Sequence, residues 1–454
     1  MKGNFVSKLK LSPVQVLSIG FAIIIVIGAS LLALPISTND GVYTPYIDCI
    51  FNATSALCVT GLVTFDPGTH WNYFGRTVIM LLIQIGGLGF MTFSILISLV
   101  MGRRITISER LVVQEAFNSL NIQGLVKMTK SVLKFTFGIE GIFAIILSTQ
   151  FIPKMGFFKG LYYGIFHSVS AFCNAGFDIF GLEYGSFKNL MSFNRNPVVL
   201  LCIAFLIIIG GIGFGVILEL YANKKSKKRL SIHAKLVILT TAILLIVGTI
   251  LFFIFEYNNK NTIGEMNIFY KILNSFFASV TPRTAGFSSV GTTDMVGSSK
   301  LLTIILMFIG GSPGSTAGGV KTATFAVAIV AIFHSIRGHE DTTLFKKTVP
   351  KDLIKKAFIV LLMGFFLVII MTMIINIIEG DKGTLPTYLY EVTSAFGTVG
   401  LSLDYSPKLH WLSKILISFT MYLGRVGPLT VALALGRTRE VDHIKYPEEK
   451  ILIG

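Results

Sequence analysis

The sequence predicts an all-α polytopic membrane protein. Four parallel helix–pore loop–helix repeats stand in a pseudo-fourfold arrangement around one central pore, with eight transmembrane helices and both termini cytoplasmic. This follows from apolar runs of bilayer length, basic residues confined to alternate loops, and a short loop pattern that occurs four times.

Of the 454 residues, 53% are hydrophobic and 14% charged, and the mean hydropathy is +0.74, which is too apolar for a water-soluble globular chain. Leu17 to Leu34, Thr77 to Met101, Val198 to Leu220, Leu236 to Phe255, Leu301 to Ile309, Ala357 to Ile378 and Ile415 to Leu435 are apolar. Most are long enough to cross about 30 Å of hydrocarbon. Val132 to Phe151 is a further crossing, interrupted by Lys134 and Glu140.

The net charge of +16 raises the question of nucleic acid, which the placement of the charge answers. Lys2, Lys8 and Lys10, then Arg103, Arg104, Arg110, Lys127 and Lys130, then Lys224 to Arg229, then Arg337 and Lys346 to Lys356, and lastly Arg437, Arg439 and Lys445 fall between alternate apolar segments. The other loops hold acids, among them Asp48, Asp66, Asp178, Glu265, Asp294, Glu379 and Asp404. The positive-inside rule then makes the basic loops and both termini cytoplasmic, and no nucleic-acid partner is expected. A cleaved signal peptide is the competing reading of the first run. That run exceeds a usual signal core, and its removal would take the opening helix from the first repeat. Cys49, Cys58, Cys173 and Cys202 lack metal-ligand spacing and read as small packing residues.

The repeat emerges from the outward loops. TSALCVTGL ends at Gly61 and Leu62, SVSAFCNAGF at Gly176 and Phe177, SVTPRTAGF at Gly286 and Phe287, and VTSAFGTVGL at Gly400 and Leu401. In this register Ser55, Ser170 and Ser394 coincide, whereas the third copy has Val280 followed by Thr281. Downstream come IGGLGF from Ile85, IGGIGF from Ile209, IGGSPG from Ile309 and LGRVGP from Leu423. The repeats are bounded at 1–110, 111–230, 231–345 and 346–454, the last with a C-terminal tail. Each reads as an inbound helix, a short helix dipping into the outer face, an extended segment and an outbound helix. Two crossings per unit give all four the same orientation.

An ion that sheds water needs replacement oxygens, and a ring of backbone carbonyls supplies them without a buried fixed charge. Glycine permits positive φ and close approach to an axis. The candidate filter is therefore Val59, Thr60 and Gly61; Asn174, Ala175 and Gly176; Thr284, Ala285 and Gly286; and Thr398, Val399 and Gly400. Asp66, Asp178, Asp294 and Asp404 follow these glycines, either concentrating cations at the mouth or serving as solvated loop residues.

The third outbound helix is broken by Gly310, Gly311, Ser312, Pro313, Gly314, Ser315, Thr316, Ala317, Gly318, Gly319 and Lys321. Facing the axis below the filter, this stretch is a candidate gate; the alternative is a packed kink with no moving part. In the fourth copy Arg425 replaces the second glycine of the IGG motif. A charge at that depth must face protein or water, as a barrier to cations, a latch on the gate carbonyls, or a structural donor. His167 and Glu391 stand nine positions before their glycines, where Asn52 and Phe277 occupy the other copies, which reads as pore-helix anchoring.

TSALCVTGL, SAFCNAGF, TPRTAGF, TSAFGTVGLS, GGSPGSTAGGVKT and YLGRVGP resemble the Trk/Ktr/HKT superfamily of cation transporters, most closely the KtrB-type potassium-translocating subunits of bacteria. The resemblance implies filter roles for Gly61, Gly176, Gly286 and Gly400, a gating loop from Gly310 to Lys321, and Arg425 as its partner. It also implies a homodimer in the cell membrane with a pore in each subunit, beneath which sits a KtrA-type ring that binds ATP or ADP, with sodium stimulating. Trk-type members often carry two extra leading helices; their absence favours KtrB. No cofactor is expected in this chain, since no glycine-rich loop follows a strand in a βαβ unit. A coupled transporter would want a midplane carboxylate, for which Glu140 is the candidate. No metal cluster or Ser, His, Asp set suggests an enzyme. Members with serine at one filter position admit sodium, and four glycines favour potassium.

Overall fold

The computed structural model describes residues 13–89, 125–226 and 230–427. The basic residues Lys2, Lys8, Lys10, Arg103, Arg104, Arg110, Lys227, Lys228, Arg229, Arg437, Arg439 and Lys445, the ends of the Thr77 and Ile415 runs, and most of the signal-peptide region lie outside the described residues.

Helices α1 (Pro13–Ala33), α2 (Tyr46–Cys58) and α3 (Tyr73–Leu88) come first. Next are α4 (Leu125–Met155), α5 (Phe157–Phe172), α6 (Pro197–Ile212) and α7 (Phe214–Ser226). Then come α8 (Ile232–Glu256), α9 (Ile268–Val280), α10 (Gly297–Phe308) and α11 (Thr322–Ile336). Last are α12 (Lys351–Glu379), α13 (Leu385–Gly397) and α14 (Trp411–Val426). Asn72, Asn196, Ser231 and Asn267 cap α3, α6, α8 and α9 by accepting backbone N–H bonds in the first turn, as these short polar side chains do at helix starts.

Among the described residues, Lys127–Met155, Ile232–Glu256 and Lys351–Lys382 are long and apolar enough to cross a membrane, and Pro197–Ile212 with Phe214–Asn223 forms a bent pair. On α8, Leu239, Ile243, Ile246, Ile250 and Ile254 are exposed, while Leu236, Val237, Gly248 and Phe252 are buried. The exposed stripe is as apolar as the packed one, which suits lipid and not water.

The connections between helices form a closed circuit. Each first helix, α1, α4, α8 and α12, packs on the short helix that follows it. Each outgoing helix crosses to the next unit: α3 packs on α5, α6 on α9, α10 on α13, and α14 returns to α2. The far ends are tied in every unit. Asn72 N–H donates to the Ser37 carbonyl at 3.0 Å, Asn196 Nδ2 to Gln150 Oε1 at 3.2 Å, Val296 N–H to Glu256 Oε1 at 2.9 Å, and His410 N–H to Glu379 Oε1 at 2.8 Å. Glu379 is thus a buried structural acceptor and not a solvated loop acid.

The apolar run Val198 to Leu220 is not one crossing helix, because α6 and α7 meet at 95°. Gly213, at φ +101, makes the bend. The same register ends α3 at Gly89 (φ +81) and α14 at Gly427 (φ +95), since a residue at such φ cannot continue a right-handed helix. The glycine three positions earlier has a different task. A Cβ on Gly86, Gly210 or Gly424 would run into the carbonyl oxygen of Leu57, Phe172 or Phe396, in each case four residues before the loop glycine of its own unit. All four cysteines are buried and free.

Because the obstructing atoms at Gly86 and Gly424 are backbone, Gly86→Ala and Gly424→Ala should each destabilise the detergent-solubilised protein by about 1–3 kcal/mol. Gly138, a helical glycine with nothing within 4 Å of a built Cβ, should accept alanine with unchanged or higher thermal stability. Equal melting temperatures for all three variants would contradict the packing.

Candidate functional site

At the end of each short helix the backbone turns sharply. Val59, Asn174, Thr284 and Thr398, each two residues before the loop glycine, have φ of 59, 60, 63 and 50°, and the glycines Gly61, Gly176, Gly286 and Gly400 have φ of 94, 70, 73 and 93°. A left-handed residue that is not glycine costs about 1–3 kcal/mol, and such strain persists where the surroundings over-determine it. Here it recurs four times at one register.

The four segments meet. A Cβ built on Gly61, Gly176, Gly286 or Gly400 would lie within 3.3 Å of the Cα of another of these glycines. Each would also meet a carbonyl oxygen of the next unit in cyclic order: Ala175 from Gly61, Ala285 from Gly176, Val399 from Gly286 and Thr60 from Gly400. No described residue donates a hydrogen bond to these four oxygens. Buried carbonyls normally find a donor. Four that lack one, converging on a common axis, form a ready set of ligands for a dehydrated cation. All four glycines border one cavity of about 410 Å³.

The ring is held from behind by hydroxyls. Gly61 and Gly400 N–H donate to Ser55 Oγ and Ser394 Oγ, both at 3.0 Å. Ser170 Oγ donates to the Phe177 carbonyl at 2.8 Å, and Thr281 Oγ1 to the Phe287 carbonyl at 2.5 Å. Thr281 therefore supplies in the third unit, one residue late, the contact that Ser170 makes in the second. The position nine before the glycine also ties short helix to exit loop. Asn52 Nδ2 donates to Thr64 Oγ1 at 2.8 Å, and the His167 ring stacks on Phe180 with centroids 4.1 Å apart. Glu391 accepts from Ser402 Oγ, Leu403 N–H and Ser406 Oγ at 2.6 to 2.9 Å.

On the side away from the cavity, Gly310 to Lys321 forms a non-helical plug between α10 and α11. Gly310 N–H donates to Val320 at 2.8 Å, closing the loop on itself. Ser312 N–H bonds the Gly211 carbonyl, Thr316 N–H the Gly210 carbonyl and Gly319 N–H the Gly424 carbonyl. Thr316 Oγ1 donates to Asn174 Oδ1 at 3.2 Å. Cβ atoms on Gly310 and Gly318 would meet the side chains of Thr284 and Thr398, and one on Gly319 would approach Gly397, so these glycines lie directly under the ring. Pro313 and Gly314 turn toward α7, whose Phe214 N–H bonds the Gly314 carbonyl. Ser315 Oγ bonds the Ser312 carbonyl, and Lys321 Nζ the Ala317 carbonyl at 2.6 Å. Arg425 completes the web: one guanidinium nitrogen donates to the Thr316 carbonyl and the other to the Gly86 carbonyl at 2.5 Å.

The acids after the glycines divide. Asp404 is exposed at the cavity beside Lys408, and Asp294 is exposed but outside the cavity lining. Asp66 is buried, capping Pro67–His70 through Thr69 N–H and accepting from Phe187 N–H, each at 2.8 Å. Asp178 is buried at the cavity wall and accepts from Phe180 N–H at 3.1 Å. Burial and, secondly, the charge of Asp66 push its carboxyl up to about 7. Glu140 does not line the cavity. Its carboxyl accepts from Gln84 Nε2 at 3.2 Å and lies 3.8 Å from Cys173 Sγ, behind the second segment. Thr281 and Glu256 were not foreseen as site supports. A hydroxyl beside the missing serine was the available signal for the first.

Apolar outer faces, a ring of free carbonyls and a plug beneath it define a membrane cation transporter. The family model for TrkH, a cation transport protein, matches residues 15–444. The Ktr system potassium uptake protein B of Bacillus subtilis is 40% identical over 453 residues, covering 100% of this chain and 99% of its own. The potassium/sodium uptake protein NtpJ of Enterococcus hirae is 40% identical over 449 residues, 98% of each chain. A solved structure of the potassium transporter TrkH from Vibrio parahaemolyticus shares the fold, with a TM-score of 0.72 at 15% identity over 96% of this chain and 87% of that one. The chain belongs to the TrkH family of cation transport proteins, whose members are transporters and not enzymes.

Asp178 loses its charge as the outer pH falls through about 7, which removes one carboxylate from the cavity. Initial cation influx at low ionic strength should be lower at outer pH 6 than at pH 8, by comparison with Asp178→Asn, whose influx should lack that step. An identical pH profile in both proteins would contradict the assignment.

Proposed function

We propose that this chain takes up potassium across the cell membrane through a channel-like pore. The carbonyls of Val59, Thr60, Asn174, Ala175, Thr284, Ala285, Thr398 and Val399 form its filter, and Gly61, Gly176, Gly286 and Gly400 allow their approach. The observation that carries this reading is the closed ring of four carbonyl oxygens to which no described residue donates. Two relatives of 40% identity bear the names of potassium and potassium/sodium uptake proteins, which supports the ion. Four parallel repeats, divided at 1–110, 111–230, 231–345 and 346–454, cross the membrane eight times with both termini cytoplasmic. The cavity beneath Asp178 and Asp404 then opens outward.

The segment from Gly310 to Lys321 is the gate, and Arg425 latches it. The hydrogen bonds from this loop to Gly210, Gly211 and Gly424, and from Arg425 to Thr316 and Gly86, support the assignment. Opening requires these to break together. A cytosolic ring of nucleotide-binding subunits of the KtrA type, responsive to ATP and ADP, drives that step, and the transporter works as a homodimer stimulated by sodium. The Ktr system naming of the relative from Bacillus subtilis supports a partner subunit. Sodium permeation is a second reading favoured by the name of the Enterococcus hirae relative; four filter glycines favour potassium.

Liposomes holding the purified chain should take up potassium in preference to sodium, and Gly61→Ser should reduce that preference. Its added Cβ would approach the Ala175 carbonyl at 2.5 Å. Unchanged selectivity in a folded variant would refute the filter, and no cation flux even with a cognate ring present would refute the function. Separately, Arg425→Ala and deletion of Gly314 to Gly318 should each raise flux in the absence of any regulator. Unchanged or lower flux in correctly folded protein would contradict the gate.

A further inference from the structure

The hairpin between α11 and α12 has no part in the pore. Strands β1 (Thr343–Leu344) and β2 (Lys347–Thr348) are joined by Phe345 and Lys346 alone. Both loop residues have positive φ, +49 and +65°, a geometry that ordinarily selects Asn-Gly. The back of the hairpin is fixed, because Leu344 is buried with Leu236 and Ala326, and Val349 packs beside them. Its outer side is open apart from Lys235, whose Nζ stands 5.8 Å from the centre of the Phe345 ring. Phe345 is 43% exposed and Lys346 and Lys347 are exposed, so a strained turn presents an aromatic ring and two cations outward.

The surroundings match one kind of partner. Exposed Phe333, Ile336 and Leu353 adjoin the hairpin in sequence on α11 and α12. Helices α8 and α12 both start here and run to Glu256 and Glu379, whose bonds lie at the starts of α10 and α14 on the cavity side. The hairpin thus sits where the apolar faces of two bilayer-length helices begin, on the side opposite the cavity. From residue 337 to 356 there are six basic residues, Arg337, Lys346, Lys347, Lys351, Lys355 and Lys356, against three acids, Glu340, Asp341 and Asp352. None of the six pairs with a described acid.

We propose that this hairpin binds the headgroups of anionic phospholipids in the adjacent leaflet, with Phe345 seated at the headgroup and acyl boundary and Lys346, Lys347 and Lys351 meeting the phosphates. Exposed apolar side chains continuous with lipid-facing helix surface, next to unpaired lysines, fit an anionic interface. An acidic protein surface would match the charge but leave the apolar side chains uncovered.

The test places tryptophan at the tip of the full chain by Phe345→Trp, in phosphatidylcholine vesicles carrying brominated phosphatidylglycerol or brominated phosphatidylcholine at equal mole fraction. The parent protein, with Trp71 and Trp411, supplies the background. Quenching of the new tryptophan should be several-fold stronger with the brominated anionic lipid. Lys346→Gln, Lys347→Gln and Lys351→Gln combined should bring the two lipids to equality. Chloride and inorganic phosphate at one ionic strength should weaken the preference alike. Equal quenching by both lipids in the Phe345→Trp protein would overturn the proposal, as would no quenching by either, the result expected of a protein-docking surface. Phosphate acting beyond chloride would also overturn it, by assigning the site to the free anion. The readout needs no ion flux, so it succeeds or fails independently of the pore.

Discussion

Four backbones approach one axis until each loop glycine meets a carbonyl of the next unit, and the rest of the fold is arranged around that approach. At Gly61, Gly176, Gly286 and Gly400 a Cβ would strike the neighbouring unit, so no other residue fits the ring in this form. The free carbonyls of Thr60, Ala175, Ala285 and Val399 would repel one another without an ion between them. The same atoms that make the ring useful thus make it costly, and packing must hold it.

That holding is distributed. The short helices end against the ring; those of the first, second and fourth units are gripped by the outgoing helix of their own unit through the close contact of Gly86, Gly210 or Gly424, and all four by the outgoing helix of the unit before. Because the circuit closes from α14 back to α2, displacement of one segment is resisted by all four units. Hydroxyls from Ser55, Ser170, Thr281 and Ser394 then fix the backbone directly behind the carbonyls. Beneath, the glycine-rich segment of the third unit replaces what would be a continuous helix, and Arg425 bonds it to the first unit. A guanidinium, with a planar fork of donors, can satisfy two carbonyls at once.

Much of this was legible in the residues. The loop glycines could be brought into register because glycine is demanded at each, and the ring assembles from the same four positions. The break in the third outgoing helix was visible as a run of glycine with proline. The bend at Gly213 was not, since apolar residues continue on both sides and hydropathy does not register a dihedral angle. Glu379 read as a loop acid because composition cannot distinguish a solvated carboxylate from one capping a helix across the chain. Asp66 does border the cavity, but its capping role was not legible, because its partners, Thr69 and Phe187, are backbone N–H groups that leave no trace in side-chain type. The hydroxyl of Thr281 was visible, but its equivalence to Ser170 depends on where α9 stops.

The central claim is that a monovalent cation sits among the carbonyls of the four loop segments. Crystals of the protein grown with thallium in place of potassium would test it through anomalous scattering. The account predicts anomalous peaks on the axis, ringed by the carbonyl oxygens of Thr60, Ala175, Ala285 and Val399. Thallium bound only at the carboxylates of Asp178 or Asp404, with no peak on that axis, would contradict it.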